Sequence, residues 1–417
     1  LYAGTSLWLH PHYLAYFNLV AGGPAGGYRC LVDSNLDWGQ DLKLLKVYLD
    51  ERGVGEAWLG YLGTADPAYY GIRYRSLFAP GTSHPAEGFS PVNPAPGWYA
   101  ISATVLQGAY SPEPDLFDWF RRHEPAARIG YSIFVYRVDP DPDPPAWLGV
   151  CFAPQPVMRD AEIAHRFGRD DLRAVHFDCE QTWVYPAGDG TGWYLVPQAR
   201  DGPGTLAERS LGDAEVVYRE RGLRDAPGYT VYRWRGEPAP EELAPVREAN
   251  LVRKANLVCK ANLVCKAWSS PALAPAEADP VTALRVPADV GGQVAFLGYH
   301  LPAEPVAPGG EVAVTTAWQV TARPEDPPLS IFAQLVGPTG PLSVGDGLGF
   351  PAIQWAPGDV FVQRNRLIVP PEVPPGRYWV QVGLYSLATD ERLPVLEMDE
   401  AIADRLLLAP VAFPGEE

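Results

Sequence analysis

The chain is poor in positive charge. Lysine is nearly absent, arginine supplies most of the 33 basic residues, and 50 acidic residues leave a net charge of −17. No Lys/Arg run interrupts this balance, so Coulomb repulsion argues against nucleic acid and anionic lipid headgroups as partners. Long apolar runs are missing too. No segment reaches the ~18–20 residues that span a bilayer, and Leu1 follows no charged region of a signal peptide. The five cysteines, Cys30, Cys151, Cys179, Cys259 and Cys265, lack CxxC or zinc-type spacing, which removes thiolate metal centres from the expected classes. Cys151 and Cys179 are read either as a pair in an oxidising compartment or as two buried thiols. The sequence contains no GxSxG elbow, HExxH, P-loop or GxGxxG.

Glycine and proline are abundant instead, 41 and 45 of 417 residues, and imply many turns and short strands. Hydrophobic content of 47% is ordinary for a globular chain. The fold class expected is multidomain, α/β plus all-β. It comprises an N-terminal α/β domain, a second small α/β unit and a C-terminal antiparallel β-sandwich. Residues 1–27 read as an aromatic, membrane-proximal entry segment with a truncated start. Residues 28–138 read as the α/β domain, with a strand at Tyr28 to Val32 and a helix capped by Ser34 or Asn35. Trp38, Leu42, Leu45 and Leu49 would form that helix's apolar stripe. Further strands are expected at Ala57 to Leu62, Trp98 to Ala103 and Arg128 to Val138, with a short helix at Asp115 to His123, in a largely parallel sheet.

A Pro/Asp linker follows at 139–145, stiff because proline favours extended geometry, and then a small α/β or β-rich domain at 146–236. Residues 237–281 form a linker holding a hexapeptide repeat, Ala249 to Lys254 recurring at Ala255 to Lys260 and Ala261 to Lys266. A six-residue step keeps each position on one face of a strand but rotates it around a helix, so the repeat suits an extended ribbon. Residues 282–410 show five strand runs separated by Pro/Gly turns, the pattern of a sandwich; in the last run Tyr378, Val380, Val382 and Leu384 alternate with Trp379, Gln381 and Tyr385, so one face should be core.

The candidate chemistry is concentrated early. Asp33, Asn35, Asp37, Trp38, Gln40 and Asp41 form a cluster rich in oxygen-bearing side chains, with Asp37 and Asp41 four residues apart on one helical face, suited to a hydroxylated substrate or to a divalent ion held through oxygen ligands. The competing reading is that these acids oppose the positive end of a helix dipole. His10 and His12 flank Pro11, share no regular face and have no evident third ligand, so they are read as structural or interfacial rather than metal-binding. Trp318, Trp355 and Trp379 are candidate carbohydrate-stacking platforms, against the alternative of core packing. No metal and no cofactor is expected.

Two stretches, His10-Pro11-His12-Tyr13-Leu14-Ala15-Tyr16-Phe17-Asn18 and Asn35-Leu36-Asp37-Trp38-Gly39-Gln40-Asp41-Leu42, carry a further signal. With Asp66-Pro67-Ala68-Tyr69-Tyr70-Gly71-Ile72, Gly97-Trp98-Tyr99-Ala100-Ile101-Ser102-Ala103 and Ala127-Arg128-Ile129-Gly130-Tyr131-Ser132-Ile133-Phe134-Val135-Tyr136, they resemble the soluble C-terminal region of bacterial membrane glycosyltransferases. These belong to the protein O-mannosyltransferase and aminoarabinose transferase-like superfamily, which uses polyprenyl-phosphate sugars. The later sandwich, with Gly298-Tyr299, Trp355-Ala356-Pro357-Gly358 and Pro375-Gly376-Arg377-Tyr378, looks like an accessory module found on some of them, and with it the resemblance covers about half the chain. It implies an extracytoplasmic location at the cell membrane, the membrane domain of the same parent chain as partner, and a carbohydrate or glycosyl acceptor nearby. Because the family's catalytic base lies in a membrane-domain loop, no catalytic residue carries over. The alternative is a secreted carbohydrate-binding or cell-surface interaction protein acting through its sandwich.

Overall fold

The computed structural model describes residues 7–152, 158–188, 191–198, 205–212, 214–222, 227–236, 249–251, 282–284, 286–302, 306–324, 328–337 and 340–413. The fold is multidomain, with α/β and all-β parts. The chain divides into two compact units, one of Leu1–Pro145, Val157–Leu172 and Glu215–Arg233, the other of Ala146–Pro156, Arg173–Ala214 and Trp234–Glu417. Residues 146–236, expected as one small domain, are therefore shared between the two.

The first unit is built on a sheet of β1 (Ala57–Gly60), β2 (Tyr74–Ser76), β3 (Gly97–Ser102), β4 (Ala127–Ile129) and β5 (Ile133–Val138), in the order β2-β1-β3-β5-β4. Its helices include α1 (Gly23–Gly26), α2 (Leu42–Glu51), α3 (Ala103–Leu106) and α4 (Asp118–Arg122). Alternation along the strands sends side chains to two cores. On one face Ala57, Leu59, Ala100, Ile133 and Val135 pack against Leu42, Leu45 and Leu49 of α2. On the other, Tyr99, Ile101, Phe134 and Tyr136 meet Phe89, Leu116, Phe117 and Phe120.

The sheet is mixed rather than largely parallel. β1 runs parallel to β2 and β3, but β5 is antiparallel to both β3 and β4. The single strand expected over 128–138 is a hairpin, reversed at Gly130 and Tyr131, whose φ angles are 57° and 67°. Two consecutive positive φ values make the tight turn that matches strand twist. Tyr131 hides it, since an aromatic residue inside an apolar run reads as strand. The strand expected at Tyr28 to Val32 is also absent. A 3-10 turn at Gly27–Arg29 lies there, where a Cβ on Gly27 would meet the Phe17 ring at 2.1 Å and Tyr28 packs on Phe134.

The outlying segments of this unit are fastened by charge. Arg166 bridges Glu113 (2.7 Å) and Glu220 (2.8 Å), and Asp115 receives Arg121 and Arg221 at 2.8 and 2.9 Å. Within the expected linker, Asp141 pairs with Arg233 at 2.6 Å.

In the second unit, β6 (Trp147–Cys151) pairs in parallel with β7 (Arg173–Phe177) and β9 (Gly192–Pro197). A disulfide joins Cys151 to Cys179, with Cα atoms 5.3 Å apart, while Cys30 in the first unit is free and exposed. Cys259 and Cys265 lie outside the described residues, as do the second and third copies of the hexapeptide repeat.

The sandwich has two antiparallel sheets. Gly376–Ser386 is central in one, between Leu329–Gly337 and Leu406–Phe413. The other runs through Val294–His300, Glu311–Val320 and Val360–Ile368, and is extended by β8 (Thr182–Tyr185), which pairs with Val360–Ile368. Borrowing β8 merges the small α/β part with the sandwich. A buried Asp359 reinforces the join, taking both Arg173 guanidinium nitrogens at 2.6 Å and the amides of Ala187 and Ala356. Tyr378, Val380, Val382 and Leu384 form the buried face expected of their strand.

Candidate functional site

The cluster around Asp37 is assembled from a loop, not from one helical face. Gly39 has φ +76° and interrupts any helix before residue 40. A 3-10 turn occupies Asp33–Asn35, and α2 starts only at Leu42, with Asp41 as its N-cap residue. Trp38 is consequently 65% exposed and outside the apolar stripe, whereas Leu42, Leu45 and Leu49 are buried as expected.

Asp37 and Asp41 are both buried and face different partners. The Asp37 carboxylate accepts from the amides of Gly39 and Thr104, each at 3.3 Å, with Ser102 also bonded to it. Asp41 accepts the Ser132 hydroxyl at 2.7 Å and lies 3.9 Å from His12 Nδ1. A Cβ on Gly130 would stand 2.1 Å from the Asp41 carboxyl, so the β4–β5 turn closes directly over this group. His12 also meets Tyr131 edge-on, at 5.7 Å between ring centroids.

The other expected members play supporting parts. Gln40 bridges the Leu36 carbonyl (3.1 Å) and the Trp38 amide (2.8 Å). Asn35 is exposed and donates weakly to Val32 O, at 3.4 Å. Asp33 accepts the Tyr110 hydroxyl at 2.6 Å, and its amide donates to Thr104 Oγ1 at 2.9 Å. In the sandwich, Trp318 and Trp355 are fully buried and present no ring face to solvent, their Nε1 atoms bonded to Thr316 and to the Phe350 carbonyl. Trp379 is half-buried.

Sequence reading alone did not single out Ser102, Thr104 and Ser132. All three are buried, and small polar residues at the ends of apolar strand runs were the available signal. Among the described residues no group of three His, Cys, Asp or Glu side chains is placed to hold a metal ion.

Burial raises the carboxyl pKa of Asp37 above its ordinary value, against hydrogen bonds from Ser102, Thr104 and Gly39. Burial also raises that of Asp41, opposed by Ser132 and His12. Both groups thus favour the protonated form more in the folded state than in the unfolded chain. For a raised acid the folded state holds more protons, so its contribution to stability is lost as pH rises from the ordinary carboxylate value through the folded one. Asp37→Asn should therefore gain stability relative to the parent chain as pH is raised through that window. Paired urea titrations at several pH values check this. A difference that is flat with pH would contradict it.

No protein-family model and no curated protein matches the chain. Among solved structures, the C-terminal domain of Wzt is 14% identical, covering 32% of this chain and 81% of that one, with a TM-score of 0.24. A Niemann-Pick type C2 protein from Japanese carpenter ant is 10% identical, covering 30% of this chain and 95% of that one, with a TM-score of 0.19. At such TM-scores these likenesses carry no argument about fold or function.

Proposed function

We propose that this chain is the extracytoplasmic soluble portion of a membrane glycosyltransferase using a lipid-linked sugar donor. In this reading it assists acceptor recognition or packs on the membrane domain, and does not itself transfer sugar. The observation that carries the reading is convergence. Four of the segments bearing the family resemblance supply His12, the Asp37–Asp41 loop, Ser102 and the Gly130–Ser132 turn, and these meet around two buried carboxylates. A loop that keeps two acids buried at a cost in stability is better explained by use than by folding.

Surface chemistry supports the same reading. Residues 1–28 contain no Asp, Glu, Lys or Arg. Trp8, Leu19 and Val20 are 70%, 93% and 98% exposed, a combination suited to the boundary between hydrocarbon and water. The Cys151–Cys179 bond suits an oxidising compartment. No helix among the described residues is long and apolar enough to cross a membrane. The coding sequence upstream of Leu1 tests this reading. Several hydrophobic spans with acidic residues in the first outside loop are expected, and a start codon or cleavable signal just before Leu1 would contradict it.

A further inference from the structure

Beside the buried carboxylates lies a groove of ≈150 Å³ that none of the expected site residues lines. Its walls include the rings of Tyr61, Phe78 and Tyr110, and Thr104 contributes from its buried side. Six of its ten lining residues carry hydroxyls and none is charged. That mixture discriminates between ligand classes. Five of the six hydroxyls already bond to protein atoms, and an apolar ligand would leave their remaining lone pairs unmatched. An anion would meet Asp33, which holds the Tyr110 hydroxyl, and Asp37, which holds the Thr104 amide. A neutral polyol ring satisfies both demands, since its hydroxyls donate and accept while its CH face lies against an aromatic ring. The volume is below the ~300 Å³ at which sites for drug-sized ligands begin, which fits one sugar ring rather than a chain.

The groove is also preorganised. Tyr61 is wedged between Gly39 and Gly63, both at positive φ, where an added Cβ would stand 2.1 and 2.2 Å from its hydroxyl oxygen. Tyr61 in turn donates to the Gly39 carbonyl at 3.2 Å. Gly108, at φ +67°, has the Pro114 carbonyl 2.3 Å from where its Cβ would be, which fixes the turn leading into Tyr110. With its hydrogen donated to Asp33, the Tyr110 hydroxyl presents lone pairs that a sugar hydroxyl can bond. Three glycines whose added Cβ atoms would collide with neighbours hold the parts of one groove in place, and rigid placement reduces the ordering cost of binding.

We infer that this groove is a binding subsite for a single neutral pyranose ring. The inference gives the acceptor-recognition reading a location and a ligand class, but its test needs no membrane domain. The purified full chain is titrated with mannose, glucose, galactose and N-acetylglucosamine, and with glucuronate and inorganic phosphate as anionic probes, by saturation-transfer NMR and calorimetry. At least one neutral sugar is expected to bind saturably with a Kd on the order of millimolar, as small polar ligands do. Tyr110→Ala should weaken that binding about tenfold, the scale of one lost hydrogen bond together with its ring contact. Tyr110 is 65% exposed, so its removal should leave the melting temperature unchanged. Trp379→Ala in the sandwich should leave binding intact. Absence of saturable binding by every neutral sugar, preference for the anions, or loss in Trp379→Ala but not in Tyr110→Ala would each overturn the subsite. Any of these would leave the membrane-portion reading to the upstream coding sequence, so the two fail separately.

Discussion

Replacing Cys151 and Cys179 together with alanine is expected to lower the stability of the second unit by about 3–4 kcal/mol, the loop-entropy value for a bridge of this span. The two cysteines are 28 residues apart and their bond closes a loop containing β7. Cys151 ends β6, Cys179 follows β7, and register places Cys151 opposite Phe177. The bridge therefore pins two parallel neighbours whose connection must leave the sheet and return. Both sulfurs are buried, so substitution leaves a small apolar gap as well as a longer free loop in the unfolded chain. Urea unfolding followed through Trp183 and Trp193, both buried in the same unit, measures the loss. Reduction of the parent chain should reproduce most of it. A change under about 1 kcal/mol would mean that the strands hold their register without the bridge.

The second large effect is expected at Gly130. Gly130→Ala should destabilise the first unit by about 3 kcal/mol, in two parts. A Cβ residue at φ +57° costs ~1–2 kcal/mol in the left-handed region. The new methyl would also lie 2.1 Å from the Asp41 carboxyl. It would push that group off the Ser132 hydroxyl, and leaving buried polar atoms unmatched costs ~1–3 kcal/mol. Gly53→Ala separates the parts. Gly53 has φ +64° with nothing within 4 Å of its added Cβ, so it should show only the backbone cost, ~1–2 kcal/mol. Equal losses in the two variants, measured by denaturant titration, would show that the turn does not press on Asp41.

These positions also show which features were legible in sequence. The stripe Leu42, Leu45 and Leu49 and the alternation along Gly376–Ser386 were readable, because burial of one face imposes a period that composition records. The polar cluster was readable as a set of residues but not as a geometry. Asp37 and Asp41 are four apart, which suggests a shared helical face, yet Gly39 turns the chain between them and sends each carboxylate to a different strand end. Their partners lie 67 and 91 residues away in sequence, distances over which local pattern carries no register. The hairpin at Gly130–Tyr131 was missed for the related reason that only one of its two positive-φ residues is glycine. Trp318 and Trp355 illustrate a third limit. Composition reveals how many aromatic rings exist, but only packing decides which of them face solvent.

We propose that this chain is the soluble portion of a membrane-bound transferase. An antibody raised against the purified chain, applied to fractionated source cells, tests it most directly. A species larger than the chain itself is expected. It should remain in the membrane through carbonate and high-salt washes and be cleaved by protease added from outside. A species of the chain's own mass, recovered in the soluble fraction, would contradict it.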